Sequence, residues 1–204
     1  MTTIEVFADV ACPFAHAGLR KVLRFLETSG HVGTRLRIRA WPLELVNGVP
    51  MDPATIAEEV EDLRGSVAPH LFAGFDPARY PSTSLPALAL VELAYAESDL
   101  IGERVSLALR DAIFEEGRDV SDPRVLDEVG SSFGLGAPGP AQQEAVIADW
   151  KSGQARHVTG SPHFFCGATE AFCPSLEISK SGAHLQIRDR RSTLESFLSG
   201  CVGA

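Results

Sequence analysis

Apolar and polar positions follow each other along this chain first with the period of a strand, then of a helix, then of a strand again. Ile4-Glu5-Val6-Phe7-Ala8-Asp9 is rich in β-branched and aromatic residues and predicts a first strand. Pro13 fits the first turn of a helix, where its missing N–H costs nothing. Leu19, Val22, Leu23 and Leu26 carry the apolar face of that helix, and Gly30 supplies a stop. Leu36 to Trp41 alternates at period two as a second strand, ended by Pro42. Strand, helix, strand is a βαβ unit, whose crossover is right-handed in nearly all cases.

From Val49 to about Ser152 the pattern is helix after helix. Asp52-Pro53 opens one, and Pro69, Pro77 and Pro81 break up the stretch that follows. Leu85-Pro86 begins a strongly apolar helix through Leu88, Leu90, Val91, Leu93 and Ala94. Gly102 to Glu116 follows, with Val105, Leu109, Ala112 and Ile113 on one face. Ser121-Asp122-Pro123 is an N-cap followed by proline, and Pro140, after a Gly/Pro linker, starts a helix through Val146, Ile147 and Trp150. Strand character returns at Ser161 to Cys166. Leu176-Glu177-Ile178 and His184 to Ile187 flank Ser181-Gly182 as a hairpin, and Arg191 to Leu198 closes as a helix capped by Ser192 or Thr193. The outline is α/β: βαβ in 1–48, a helical block in 49–154, and ββα in 155–204.

Composition narrows the function classes. With 204 residues, 45% apolar and 22% charged, the chain suits one large soluble domain, or one domain carrying an insertion. Its 27 acidic against 18 basic residues, net -9, argue against nucleic acid and anionic membrane surfaces as partners. Met1 to Glu5 shows neither a basic n-region nor an apolar h-region, and no apolar run approaches a membrane span. Cys12, Cys166, Cys173 and Cys201 are too few and too uneven for a disulfide framework. A reducing cytoplasm is therefore the expected compartment, where a disulfide would be transient or catalytic.

Candidate chemistry begins at Cys12-Pro13-Phe14-Ala15-His16, where a strand meets a helix. Unpaired N–H groups and the macrodipole at a helix N-terminus stabilise a thiolate, so the Cys12 pKa is expected to fall. The bland reading of Cys12 is a small buried hydrophobe, the usual fate of a lone free cysteine. His16 lies one turn further on the same face, where it would share a proton with the thiolate or stay a helix-face histidine with no role. Asp9 ends the strand, as a proton relay or as ordinary turn chemistry. Far downstream, Gly160-Ser161-Pro162 puts a proline at a strand's start and suits a cis X–Pro turn or a plain one.

These pieces resemble the DsbA-like thioredoxin superfamily. The resemblance rests on Asp9 to Phe14, the long helical block and Thr159-Gly160-Ser161-Pro162-His163-Phe164. It extends to Trp41-Pro42-Leu43-Glu44-Leu45 and Asp149-Trp150, and so covers essentially the whole chain. It implies a thioredoxin-like fold interrupted by an all-α helical insertion, with Cys12 facing a cis Pro162 and Ser161 contacting the substrate. Kappa-class glutathione transferases and 2-hydroxychromene-2-carboxylate isomerases share the plan, typically with Ser in place of Cys12. The departure is Ala15, where family oxidases carry the resolving cysteine.

Without that partner, the expected route is monothiol: Cys12 attacks a mixed disulfide and a second small thiol releases it. Cys12 and His16 are then the candidate catalytic residues, and Pro13, Phe14, Ser161 and Pro162 the substrate-docking edge. No tightly bound cofactor is expected, with glutathione or another low-molecular-weight thiol as co-substrate. The partner is a thiol or disulfide, on a small molecule or a protein, and a homodimer is compatible with the fold. Cys166 should lie about 13 Å from Pro162, four strand residues on, too far from Cys12 to resolve it. Cys166 and Cys173 flank a Gly167 turn, open to pairing with each other. With His163 they lack the fourth ligand of a metal site, so no metal is expected. Cys173 and Cys201 are not placed by sequence, and the helices around Leu85 to Leu93 read as core and as a lid over the site. Two rival readings stand beside the oxidoreductase: a kappa-like transferase or isomerase that orients a thiol cofactor, and a redox-inactive peptide-binding module.

Overall fold

The computed structural model describes residues 2–31, 33–181 and 184–202. Strand β1 (Thr3–Ala8) lies at its centre, parallel to β2 (Arg35–Ala40) through the crossover helix α1 (Pro13–Thr28). On its other side β1 pairs antiparallel with β3 (His163–Cys166), which pairs with β4 (Thr169–Phe172), giving the order β2-β1-β3-β4. As a strand covered on both faces, β1 is apolar at nearly every position. Ile4, Val6 and Ala8 join the main core with Leu19 and Val22 of α1, while Phe7 packs on the opposite face with Trp41, Val158 and Phe165. β2 is half-buried: Leu36, Ile38 and Ala40 point inward, and Arg37 and Arg39 pair outward with Glu92, Glu5 and Asp149.

The helical insertion runs α2 (Leu43–Asn47), α3 (Pro53–Ser66), a 3₁₀ turn (Pro77–Arg79), α4 (Leu85–Glu97), α5 (Asp99–Phe114), α6 (Pro123–Ser132) and α7 (Pro140–Ala155). Pro53, Pro123 and Pro140 open their helices at the first position. Asp52 and Asp122 cap theirs by accepting the Thr55 and Arg124 N–H groups at 3.0 and 2.9 Å. α4 is buried from Ala87 through Glu92, as a helix apolar on all sides should be. α7 crosses the second face of the sheet so closely that a Cβ on Gly153 would sit 2.5 Å from the Trp41 ring.

Some boundaries differ from the sequence reading, for local reasons. α5 begins at Asp99 rather than Gly102, because Ser98 Oγ accepts the Ile101 N–H at 3.2 Å. The closing helix α8 (Arg191–Val202) starts before Ser192, and its Leu194 N–H bonds the Arg190 carbonyl, so neither Ser192 nor Thr193 is the cap. β4, which completes the central sheet, is too short and too polar (Thr-Glu-Ala-Phe) to show a period. A two-residue loop joins it to β3, with Gly167 at φ 58, which glycine adopts without strain. The expected hairpin exists as β5 (Leu176–Ser181) and β6 (His184–Asp189), but as a separate two-stranded sheet. Gly182, in its turn, lies outside the described residues. The result is a thioredoxin-like α/β fold with a helical insertion between its second and third strands.

Candidate active site

Cys12 is the N-cap of α1, in extended conformation with Pro13 directly after it. Its thiol donates to the Ser161 carbonyl at 3.2 Å, and the Ser161–Pro162 peptide is cis. The Asp9 N–H donates to Ser161 Oγ at 3.0 Å, so two segments about 150 residues apart are joined through both backbone and side chain. Asp9 is the hub of this junction. Its carboxylate accepts from Ala11 N at 2.9 Å, Leu43 N at 2.6 Å and Ser84 Oγ at 3.1 Å, and its carbonyl accepts from the buried Arg110 guanidinium at 2.6 Å. Tyr80 Oη donates to the Ala11 carbonyl at 2.7 Å. The insertion thus grips the thiol loop through α2, α4, α5 and the 3₁₀ turn. Against the other side, Pro162 packs on Gly18 of α1, where a Cβ would meet its ring at 3.4 Å.

Burial governs the electrostatics. Cys12 is only 2% exposed. Desolvation pushes its thiol up to about 11, further raised by the negative Glu59 and Asp9. A hydrogen bond with the Ser161 side chain and the Ala15 N–H favour the thiolate but do not outweigh burial. The expected depression by the helix N-terminus is therefore reversed: the sulfur has the helix donor but has lost the water a thiolate needs. Burial also raises Asp9, against its three hydrogen bonds, and lifts Glu59 to about 7, with Asp62 adding to it. Arg110 is pushed down to about 10 by burial, partly offset by Cys12 and then Asp9.

The structure brings together Cys12, Pro13, Asp9, Ser161 and Pro162, with half-buried Phe14 packed on the core and Ala15 fully buried. It places His16 elsewhere. The His16 ring lies against Phe72 and Phe114, and its Nε2 is 2.7 Å from Glu115 Oε1. Burial lowers its pKa, so the neutral ring donates Nε2–H to a carboxylate that also accepts Phe72 N and Ala73 N. Cys166 and Cys173 stand at opposite ends of the β3–β4 hairpin, about 13 Å of strand apart, which rules out the pairing left open by sequence. Cys166 instead hydrogen-bonds Cys201, and His163 Nδ1 accepts the Thr159 N–H at 3.2 Å. Among the described residues no group of three or more His, Cys, Asp or Glu is arranged to hold a metal.

Sequence reasoning missed Glu59, Tyr80, Ser84 and Arg110. All belong to the insertion, and none carries a local signal. Their role exists only once the insertion folds back over the strand end.

The model of the DSBA-like thioredoxin domain matches residues 3–181. The chain belongs to the DSBA-like thioredoxin family. No curated protein matches it. Among solved structures, a probable DsbA oxidoreductase from Streptomyces coelicolor is 18% identical with a TM-score of 0.70, covering 100% of this chain and 91% of its own. The cytosolic disulfide reductase DsbM from Pseudomonas aeruginosa is 16% identical with a TM-score of 0.61, over 99% and 100% of the two chains, and has also been solved with GSH. A 2-hydroxychromene-2-carboxylate isomerase is 14% identical with a TM-score of 0.59, over 83% and 88%. At these identities the likeness is one of fold. On that fold this chain sets the Cys12 thiol against the cis Ser161–Pro162 turn, with Ala15 three residues after it. No helix among the described residues is long and apolar enough to cross a membrane.

Proposed function

We propose that this DSBA-like protein is a thiol–disulfide oxidoreductase in which Cys12 is the single nucleophilic cysteine that attacks the incoming substrate disulfide. The observation that carries the reading is the Cys12 thiol at a helix N-terminus, 3.2 Å from the Ser161 carbonyl of a cis Ser161–Pro162 turn, with Ala15 in place of a vicinal thiol. In the first exchange the Cys12 sulfur forms a new S–S bond to one half of the disulfide. The other half leaves as a thiolate and takes up the Cys12 proton. A low-molecular-weight thiol of the glutathione class then serves as co-substrate, a choice supported by the GSH complex of the relative DsbM.

Ser161 and Pro162, with Pro13 and Phe14 across from them, form the docking edge for the disulfide's flanking groups. His16 enters as a positioning residue, because its Nε2 is committed to Glu115 and fixes α1 against the insertion. Four free cysteines suit a reducing compartment, like that of the cytosolic reductase among its relatives. The test is turnover of a glutathionylated peptide by wild type and Cys12→Ser. All turnover is expected to disappear in the variant. Turnover that survives overturns the reading, and saturable glutathione binding that survives it while no disulfide exchange occurs transfers the case to the transferase.

A further inference from the structure

Cys173 stands directly after β4. Because His163 faces Phe172 in the β3–β4 ladder, the next position on each strand sets Cys173 opposite Pro162, and its N–H donates to the Pro162 carbonyl at 3.0 Å. Cys12 meets the same turn through the Ser161 carbonyl, at 3.2 Å. The Ser161-Pro162 turn is therefore flanked by two buried thiols, each 2% exposed. Of all charged or titratable neighbours, Cys12 is the one that acts most strongly on the Cys173 thiol. The other two cysteines are engaged with each other at the far end of the sheet.

Two further features set Cys173 apart. Its backbone has φ 42, in the left-handed region that a non-glycine residue occupies at a cost of about 1 kcal/mol. The Leu176 N–H donates to its carbonyl at 3.1 Å, and burial pushes its thiol up to about 12, with Arg190 and Lys21 opposing only in part. A left-handed backbone at Cys173 holds its thiol beside the same turn that the Cys12 thiol contacts.

We infer that Cys173 is the resolving thiol of this enzyme, taking the part that Ala15 leaves vacant. The inference rests on the proposed attack of Cys12 on mixed disulfides. With substrate held as Cys12–S–S–R, Cys173 attacks the Cys12 sulfur, and the Cys12–Cys173 bond forms as the bond to R breaks. The Cys173 proton leaves with the R thiolate as RSH. Two molecules of a low-molecular-weight thiol then return both cysteines to thiols and depart as their own disulfide, which balances the two electrons. The bridge requires Cα atoms about 4.4–6.8 Å apart. Cys173 lies in the link between β4 and β5, one position past the last β3–β4 pair and held to the turn by its N–H bond to the Pro162 carbonyl.

The experiment treats the reduced full-length protein with glutathione disulfide, quenches in acid, and maps it by mass spectrometry without reduction. Cleavage after Glu170 separates Cys166 from Cys173, so the linked peptides are unambiguous. Wild type is expected to release glutathione and yield a peptide joining Cys12 to Cys173. Cys173→Ser and Cys173→Ala are expected to retain glutathione on Cys12. Wild type that keeps the adduct on Cys12, or that links only Cys166 to Cys201, overturns the role of Cys173 and leaves the monothiol reading standing. Cys12 that takes up no glutathione in any of the proteins overturns that reading, and this inference with it. The wild-type map decides the case even where a variant fails to fold.

Discussion

Titrating the reactivity of Cys12 tests whether burial or the helix N-terminus rules the site. Moving the thiol from its ordinary 9.0 to about 11 disfavours the thiolate by about 3 kcal/mol. At neutral pH this leaves about one thiolate in 10⁴, and alkylation about a hundredfold slower than for an ordinary exposed cysteine. The rate should climb about tenfold with each pH unit and level off only near 11. The folded state holds this proton more tightly than the unfolded chain does. Its contribution to stability is therefore complete below 9.0 and is lost as pH rises through about 11. The assay is timed iodoacetamide labelling across the alkaline range, with the Cys12 peptide quantified by mass spectrometry and folding followed by circular dichroism. Glu59→Gln should shift the midpoint downward, since it removes a negative neighbour that raises the thiol. A midpoint below about 8 in the folded wild type refutes the reasoning, because the helix N-terminus would then have outweighed desolvation.

Three further outcomes follow from the same electrostatics. Glu115 is held down at about 2 because the hydrogen bonds from His16, Phe72 and Ala73 outweigh its desolvation. It should thus contribute stability that is full above pH 4.5 and lost as pH falls toward 2, and acid unfolding of Glu115→Gln should show a flatter pH dependence over that window. Glu92 is raised to about 7 by burial and by Asp149 beside it, so Glu92→Gln, which keeps a donor toward Asp149, should raise the melting temperature at pH 8 and leave it nearly unchanged at pH 4. Equilibration in glutathione redox buffers should find the Cys12 disulfide, with Cys173 or with glutathione, reduced only under strongly reducing conditions. A disulfide that opens as readily as glutathione disulfide itself would contradict this.

The parts of the fold legible in sequence are those whose burial has one period. β2 shows its alternation of Leu36, Ile38 and Ala40 against three arginines, and α1 shows its stripe from Leu19 to Leu26. β4 does not, because four residues of mixed polarity gain their place from pairing with β3 rather than from a buried face of their own. In the site, Cys12 and Ser161-Pro162 are legible because a helix-capping thiol and a strand-leading proline each need a particular residue type. Their meeting across about 150 residues, and the arrival of Glu59, Tyr80 and Arg110, depend on how the insertion packs, which no local spacing encodes. The raised pKa of Cys12 is invisible in the sequence for the same reason. A helix N-terminus can be read from Pro13, whereas the desolvation that opposes it comes from chain far away.

That reversal bears on which way electrons flow. A disulfide exchange favours the products in which the more acidic thiol is free and the less acidic sulfur is bonded, because the poorer leaving group keeps its bond. With Cys12 raised to about 11 and Cys173 to about 12, both sulfurs are worse leaving groups than an exposed thiol at its ordinary 9.0. In a mixed disulfide the substrate sulfur is then the one expelled, and the bond left on the enzyme is the stable one. Strong oxidants of this fold class work the other way, since a stabilised thiolate makes their disulfide easy to lose. On the proposed chemistry, a helix N-terminus whose charge effect is cancelled by burial would favour reduction of substrates. Ala15 fits that direction: with no vicinal thiol one turn on, a second sulfur from the enzyme would have to reach Cys12 from beside the cis turn, where Cys173 lies.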